Sequence, residues 1–325
     1  MKKKIIILII LFTIFIICLY LSVFAGYKDI GIDYVTKAFQ LTNDSDSIIL
    51  KVLRFPRAIK AVVAGACLAL AGMFMQSVSK NPLAEPYITG ISSGAGLGIV
   101  LSILWFNSAN YSFFGFLGAI LSSLIVILIS GFSRFAITKL ILIGLSLNIF
   151  VSALISLIIL MHPDKAYVMM LILSGGLAGN EMISDKALLT MFFIAILASL
   201  LLVPKLNFMR LDDALISSFR VKKNLYMILI IIASAFLSSI SVFSAGILGF
   251  VGIIAPQISR MIIGQDFRWL FFVNILIGSS LILFADFVSR VAIYPLQIPL
   301  GLVVAFIGAP IFVIFLTKKG GVFND

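Results

Sequence analysis

From Ala58 to Met75 the chain is apolar except for Lys60, and it is rich in Ala and Gly rather than Leu. Three cations, Lys51, Arg54 and Arg57, come first, with Pro56 among them. Asn81-Pro82-Leu83-Ala84-Glu85-Pro86 follows and forbids a regular helix, because each proline removes a donor and restricts the residue before it. Gly90, Gly94, Gly96 and Gly98 then open another apolar run. The pattern predicts a membrane helix, a tight polar turn, and a second helix whose entry lets other backbones come close.

The same reading continues along the chain. Apolar runs predict spans at about 5–25, 52–75, 91–106, 112–132, 138–160, 187–203, 225–244, 247–263, 269–287 and 299–317. Composition closes off the alternative. The chain is 62% hydrophobic and 11% charged, against roughly half and a quarter in soluble domains, so no soluble core could take up this much apolar side chain. The expected class is an all-α polytopic membrane protein of about ten transmembrane helices, one permeation domain over 1–325. Met1-Lys2-Lys3-Lys4 and the run Ile5 to Phe24 imitate a signal peptide. That run has about 20 residues, enough for a hydrocarbon core of roughly 30 Å, and it is read as a retained first span. Ten spans divide five plus five, and an odd number per half makes the halves an inverted repeat.

The net charge of +11 is not a nucleic-acid signal, because the cations lie in short clusters between apolar runs. Lys2 to Lys4, Lys80, Arg134, Lys139, Lys205 to Lys223, Arg260, Arg268, Lys318 and Lys319 fall on one side of the ten-span scheme. Asp29, Asp33, Asp44, Asp46, Asp164, Glu181 and Asp185 fall on the other, with fewer cations. Positive-inside then places both termini in the cytoplasm. The region Phe243 to Ile263 reads either as two spans meeting near 250 or as one bent span, which would reverse everything after it. The segment His162 to Lys186 is too polar to span. Its apolar part, Tyr167 to Leu173, predicts a short helix dipping into the outer face, before Ser174-Gly175-Gly176. Gly65 with Ala69, Gly90 with Gly94, and Gly94 with Gly98 stand four apart and predict close helix contacts in a compact bundle.

Catalytic constellations are missing from the sequence. His162 is the only histidine, Cys18 and Cys67 lie inside apolar runs, and no Cys/His spacing suits a metal. No GxxxxGK[ST] loop occurs, so the chain cannot itself hydrolyse ATP in the P-loop manner. No metal or cofactor is expected. Asp286 and Arg290 lie four apart at the outer end of the ninth span, where they read as a local ion pair or a functional one. Arg54 and Arg57 at the outer end of the second span read as interface anchors or as receptors for an acidic partner. The inner segment 205–224 carries five cations and two acids, with Leu211, Ala214, Leu215 and Phe219 at helical spacing between them. It reads as an amphipathic helix, lying on lipid or docking a cytoplasmic partner.

These residues resemble a known family. Arg54-Phe55-Pro56-Arg57, then Asn81-Pro82-Leu83-Ala84-Glu85-Pro86, then Gly90-Ile91-Ser92-Ser93-Gly94-Ala95 look like the permeases of ABC importers for iron-siderophores, haem and cobalamin. Gly246 to Pro256 with Arg260, Gly264, Asp266 and Arg268 is a second block. Asp286, Arg290, Pro299, Gly301 and Gly308-Ala309-Pro310 form a third. The resemblance runs from about 25 to 317 and covers nearly the whole chain. It implies a type II importer fold and a pathway between this chain and a second permease copy or paralogue. It also implies a cytoplasmic P-loop ATPase dimer and an extracytoplasmic substrate-binding protein. Binding-protein docking falls by resemblance on Arg54, Arg57 and Arg290. ATPase docking falls on the 205–224 loop, at Asp212, Asp213, Leu215, Ser217, Ser218, Phe219 and Arg220. The turn motif is Asn81, Pro82, Glu85, Pro86, Gly90 and Gly94. The chain departs from the family pattern at Gln257 and Phe267, where His is usual, at Gln297, where Glu is usual, and at Phe219-Arg220, where a Leu-Gly turn is usual.

The expectation is therefore a non-enzymatic permease subunit in a bacterial cytoplasmic membrane, moving an iron chelate, with iron-siderophore ahead of haem and cobalamin. An ion-coupled secondary transporter would favour acids at mid-membrane, and Asp286 is the only acid in a span. A membrane enzyme acting on lipid would need convergent acids, bases or metal ligands within the spans.

Overall fold

The computed structural model describes residues 2–25, 48–106, 110–131, 137–177, 185–209, 223–293 and 296–318. Among the described residues eleven α-helices follow one another: α1 Lys2–Phe24, α2 Phe55–Ser79, α3 Ile91–Phe106, α4 Tyr111–Ser130, α5 Ile137–Met161, α6 Pro163–Leu173, α7 Asp185–Met209, α8 Lys223–Ala245, α9 Val251–Ile263, α10 Phe267–Val291 and α11 Leu300–Lys318. A π-helical turn, Ile49–Arg54, runs straight into α2. No strand occurs among the described residues. Among the described residues seven helical stretches are long and apolar enough to cross a bilayer, and Ile91–Phe106, Val251–Ile263 and Leu300–Ile314 are apolar but shorter. Each of these ten helices overlaps one of the ten apolar runs read from the sequence, and α6 is the short extra helix after His162.

α2 is the axis of the bundle. A helix that is apolar all round must be enclosed by other helices or lipid, and α2 is enclosed by protein: nearly every residue from Ala58 to Val78 is buried. Its Ala and Gly content explains how. A Cβ added at Gly65 would run into the Gly278 backbone of α10, and one at Gly72 into the Gly252 backbone of α9. Ser234 of α8 donates to the Ala71 carbonyl at 2.8 Å. Three helices thus lie backbone-close against one, which only small residues permit. The expected contacts at Gly94 and Gly98 also form, against the Gly118 and Phe114 carbonyls of α4. Gly90 plays a different part. It sits at φ +83°, closing the 3₁₀ turn Pro86–Thr89 in a left-handed conformation that glycine adopts without a Cβ penalty. α1 is the opposite case: Ile5, Ile9, Phe12 and Ile16 are exposed along its length, a surface suited to lipid.

Helix ends sort into two groups. Lys4 places its ammonium 5.6 Å from the Trp269 ring centre, Lys205 lies 5.0 Å over Tyr226, and Asn207 donates to Asp266 at 3.3 Å. The start of α1, the end of α7 and the starts of α8 and α10 therefore share one end. α9 leads into Asp266 at that same end. Since α8 departs from it and α9 returns to it, the region around 250 is a reversal and the single bent span is excluded. The reversal lies inside the bundle. Gly176 donates to the Ala245 carbonyl at 3.0 Å, and Leu300 and Gly301 donate to Gly175 and Ser174 at 3.1 Å each. The Ser174-Gly175-Gly176 turn thus ties α6, α8 and α11. On α6, the Lys165 ammonium reaches the Ile103 and Leu104 carbonyls at 3.3 Å each, supplying donors to the last turn of α3.

Candidate functional site

Two constellations stand out, one at the end opposite Lys4 and Asp266, the other between α2, α3 and α9. The first is built on Asp286, whose side chain is wholly buried. Its Oδ1 accepts from Arg57 Nε, and its Oδ2 accepts from Arg290 Nε at 3.2 Å and from the Ser22 hydroxyl at 3.2 Å. The Asp286–Arg290 pair foreseen from its spacing is therefore real, but it is half of a three-helix knot joining α1, α2 and α10. Arg54 and Arg290 also finish α1. The last carbonyls of a helix lack intrahelical donors. Arg54 Nη1 donates to Val23 and Phe24 at 2.9 Å each, and Arg290 Nη2 donates to Ser22 at 2.7 Å. Arg57 Nη1 reaches the Gln297 side-chain oxygen at 3.3 Å. Arg57 and Arg290 are only 14% and 12% exposed, so these are partly enclosed guanidiniums and not simple surface anchors. Removing one partner of such a buried pair costs about 3–5 kcal/mol. Ser22 and its neighbouring carbonyls escape a reading of the sequence, because one serine in an apolar run carries no sign of a distant carboxylate.

The second constellation explains why the Asn81–Pro86 stretch and the Gly246–Pro256 stretch both matter. Phe250 stands at φ +67°, an uncommon conformation for a bulky residue, and its N–H would be orphaned ahead of α9. Glu85 Oε1 accepts it at 3.0 Å. The Tyr87 hydroxyl accepts from Leu248 N–H at 3.3 Å, Gln257 Nε2 donates to the Pro82 carbonyl at 2.9 Å, and Gln76 Nε2 donates to Gly252 at 3.1 Å. Asn148 of α5 adds a bond to the Tyr87 carbonyl at 3.1 Å and accepts from Ser93 at 2.6 Å. Gln257, where the resemblance leads one to expect His, thus joins Glu85 in clipping α9 to the proline turn. Gln76 could have been singled out, since an amide inside the apolar run of α2 demands a polar partner.

Glu85 has its pKa pushed up to about 7 by burial, against the pull of the Phe250 N–H bond. A carboxyl raised above its ordinary 4.5 binds its proton more tightly in the folded chain than in the unfolded one. Its contribution is complete below that ordinary value and is lost as pH rises through about 7. Glu85→Gln keeps an acceptor for Phe250 and removes the titration. In a detergent thermal-unfolding series, wild type should lose stability relative to Glu85→Gln between about pH 5 and pH 8. Parallel curves would contradict this.

Asp212, Asp213, Leu215, Ser217, Ser218, Phe219 and Arg220 lie outside the described residues. Among the described residues no three His, Cys, Asp or Glu side chains come together as metal ligands.

With this geometry in view, comparison with known proteins is decisive. The sequence pattern of the FecCD transport family matches residues 14–318. The chain belongs to that family. This FecCD-family chain is 32% identical over 322 residues to the permease protein of the Fe(3+)-citrate import system of Bacillus subtilis, covering 98% of this chain and 96% of that one. It is 31% identical to the permease protein of the iron(3+)-hydroxamate import system of the same organism, covering 98% of each. A solved metal-chelate type ABC transporter in an inward-facing conformation superposes with a TM-score of 0.84 at 29% identity, covering 96% of this chain and 99% of that one. The FecCD-family chain is thus a multi-pass membrane permease, and its long apolar helices agree with that.

Proposed function

We propose that this chain is the membrane subunit of an ATP-driven importer that carries a ferric chelate of the siderophore class inward across a bacterial cytoplasmic membrane. The observation that carries the reading is near full-length kinship with permeases named for iron chelates. The cation-rich end, with Lys4, Lys205 and Arg268, faces the cytoplasm, and the Arg54–Arg57–Arg290 end faces outward. A second permease, identical or paralogous, completes the pathway. A P-loop ATPase dimer docks on 205–224 and supplies the free energy. An extracytoplasmic binding protein delivers the chelate to the outer arginines. The apolar helix faces need only exclude water and ions while the chelate passes; recognition is delegated to the binding protein. Cells depending on this chain for uptake should accumulate labelled iron from ferric siderophores and not from haem, and should not take up labelled cobalamin. Uptake of cobalamin or haem without ferric siderophore would overturn the substrate class.

The docking loop yields its own test. Leu215 and Phe219 are four apart and share a face if the loop is helical. Leu215→Asp with Phe219→Asp places two carboxylates where an ATPase cleft would have to desolvate them, at several kcal/mol each if unpaired. The double variant should insert normally and fail to retain its ATPase on affinity purification. Normal retention would remove the loop from the docking surface.

A further inference from the structure

The end of α7 is built differently from the rest of that helix. Phe193, Ile194, Leu197 and Leu201 are exposed, a surface suited to lipid, whereas Val203, Leu206 and Met209 are buried. Leu206 and Met209 enter the same apolar core as Ile263 at the end of α9 and Phe267 at the start of α10. Pro204 separates the two parts. It lacks the N–H that would bond the Leu200 carbonyl, so the last turn is joined to its helix by one bond fewer. The 205–224 segment begins in this same turn.

Asn207 fastens the turn to the α9–α10 corner by both ends of its amide. Its Nδ2 donates to Asp266 Oδ1 and its Oδ1 accepts from the Phe267 N–H, at 3.3 Å each. Asp266 Oδ1 also caps α10, accepting from the Arg268 N–H at 3.1 Å. From this corner α9 runs into the bundle, where its inner end is fixed. Pro256 frees the Gly252 carbonyl, and Gln76 takes it, while Gln257 and Glu85 hold the proline turn.

We propose that Asn207 is a positioning residue for energy coupling. It makes the root of the 205–224 segment and the α9–α10 corner move as one body, so that a pull on the segment shifts α9 and the interior turn clipped to it. The inference rests on the proposed docking of the ATPase on 205–224. Apolar side chains can slide past one another under load. An amide bonded to a carboxylate and to a backbone N–H holds one register, because it supplies donor and acceptor on one short arm and one of its partners is charged.

The test uses the permease–ATPase complex in proteoliposomes with ATP inside. The binding protein outside carries whichever of ferric citrate and a ferric hydroxamate the wild type accumulates, and the readout is ATP hydrolysed per iron delivered. Asn207→Ala should keep its ATPase on affinity purification and raise that ratio roughly three- to tenfold, delivery falling while hydrolysis continues. Asn207→Asp, which sets two carboxylates against each other, should raise it at least as much. Asn207→Asp combined with Asp266→Asn exchanges donor and acceptor within the pair and keeps a good cap on α10, so the ratio should return to within about twofold of wild type. Delivery and hydrolysis falling together at an unchanged ratio, or loss of the folded protein, would assign Asn207 to stability and overturn the coupling role. Persistent uncoupling in the exchanged pair would overturn the pairing as its cause. Loss of the ATPase from Asn207→Ala would make Asn207 part of the docking surface and overturn the coupling role while the docking reading stands. Retention of the ATPase by Leu215→Asp with Phe219→Asp would instead overturn the docking reading, whatever Asn207 does.

Discussion

Gly72→Leu should abolish the folded protein: no monodisperse peak in detergent, and no uptake. Overpacking a core ordinarily costs about 1–3 kcal/mol, because side chains shift to make room. Here a side chain meets backbone, since the space beyond Gly72 is occupied by Gly252 of α9. Neither helix is at liberty to withdraw. α9 is fixed to α2 by Gln76 and to the proline turn by Gln257 and Glu85. On its other faces α2 meets Gly278 of α10 and Ser234 of α8. Ile10→Leu, on the exposed face of α1, is the matched control and should leave the elution profile unchanged. A monodisperse Gly72→Leu protein with wild-type unfolding temperature would show that α2 is not the axis of the bundle.

Arg54→Glu combined with Arg57→Glu should end uptake of the chelate, and for two reasons acting together. Arginine can hold a carboxylate by a planar fork, so reversing two of them replaces attraction of an acidic partner by repulsion. The sequence suggests only that effect. The fold adds a second, because Arg57 is a partner of buried Asp286 and Arg54 closes the C-terminal carbonyls of α1. Stability should fall as well, by about 3–5 kcal/mol or more for a buried carboxylate deprived of a partner and faced with another. Asp286→Asn in the double-Glu background should recover part of the unfolding temperature while leaving association with the binding protein lost. Full stability and full uptake in the double variant would contradict both roles.

Much of the architecture is legible in the residues. Apolar runs of the right length predict the long helices of the bundle, the prolines at 82 and 86 set the break after α2, and the shortness of Tyr167 to Leu173 predicts a short separate helix, found as α6. Hydropathy reports only whether a segment suits lipid, so it could not say where segments lie in depth. α9 has 13 residues, about 20 Å, and begins inside the bundle at a turn whose N–H groups are taken by Glu85 and Tyr87. Nothing in the Gly246–Phe250 stretch alone announces those partners more than 150 residues away. The site was half legible. The spacing of Asp286 and Arg290 gives their pair, but Arg57 and Ser22 reach the same carboxylate from 229 and 264 residues away. Gly90 illustrates the converse. Its spacing from Gly94 suggested helix packing, and its use is a left-handed turn.

The central claim, that this chain is the passive membrane subunit of an importer powered by a separate ATPase, is tested most directly in proteoliposomes. The purified chain is reconstituted with the ATPase that co-purifies with it. A ferric-siderophore-loaded binding protein is placed outside and ATP inside. The account predicts accumulation of radiolabelled iron that requires ATP, is abolished by a Walker-lysine substitution in the ATPase, and persists when the ion gradients are collapsed. Accumulation driven by an ion gradient with no ATPase present would contradict it.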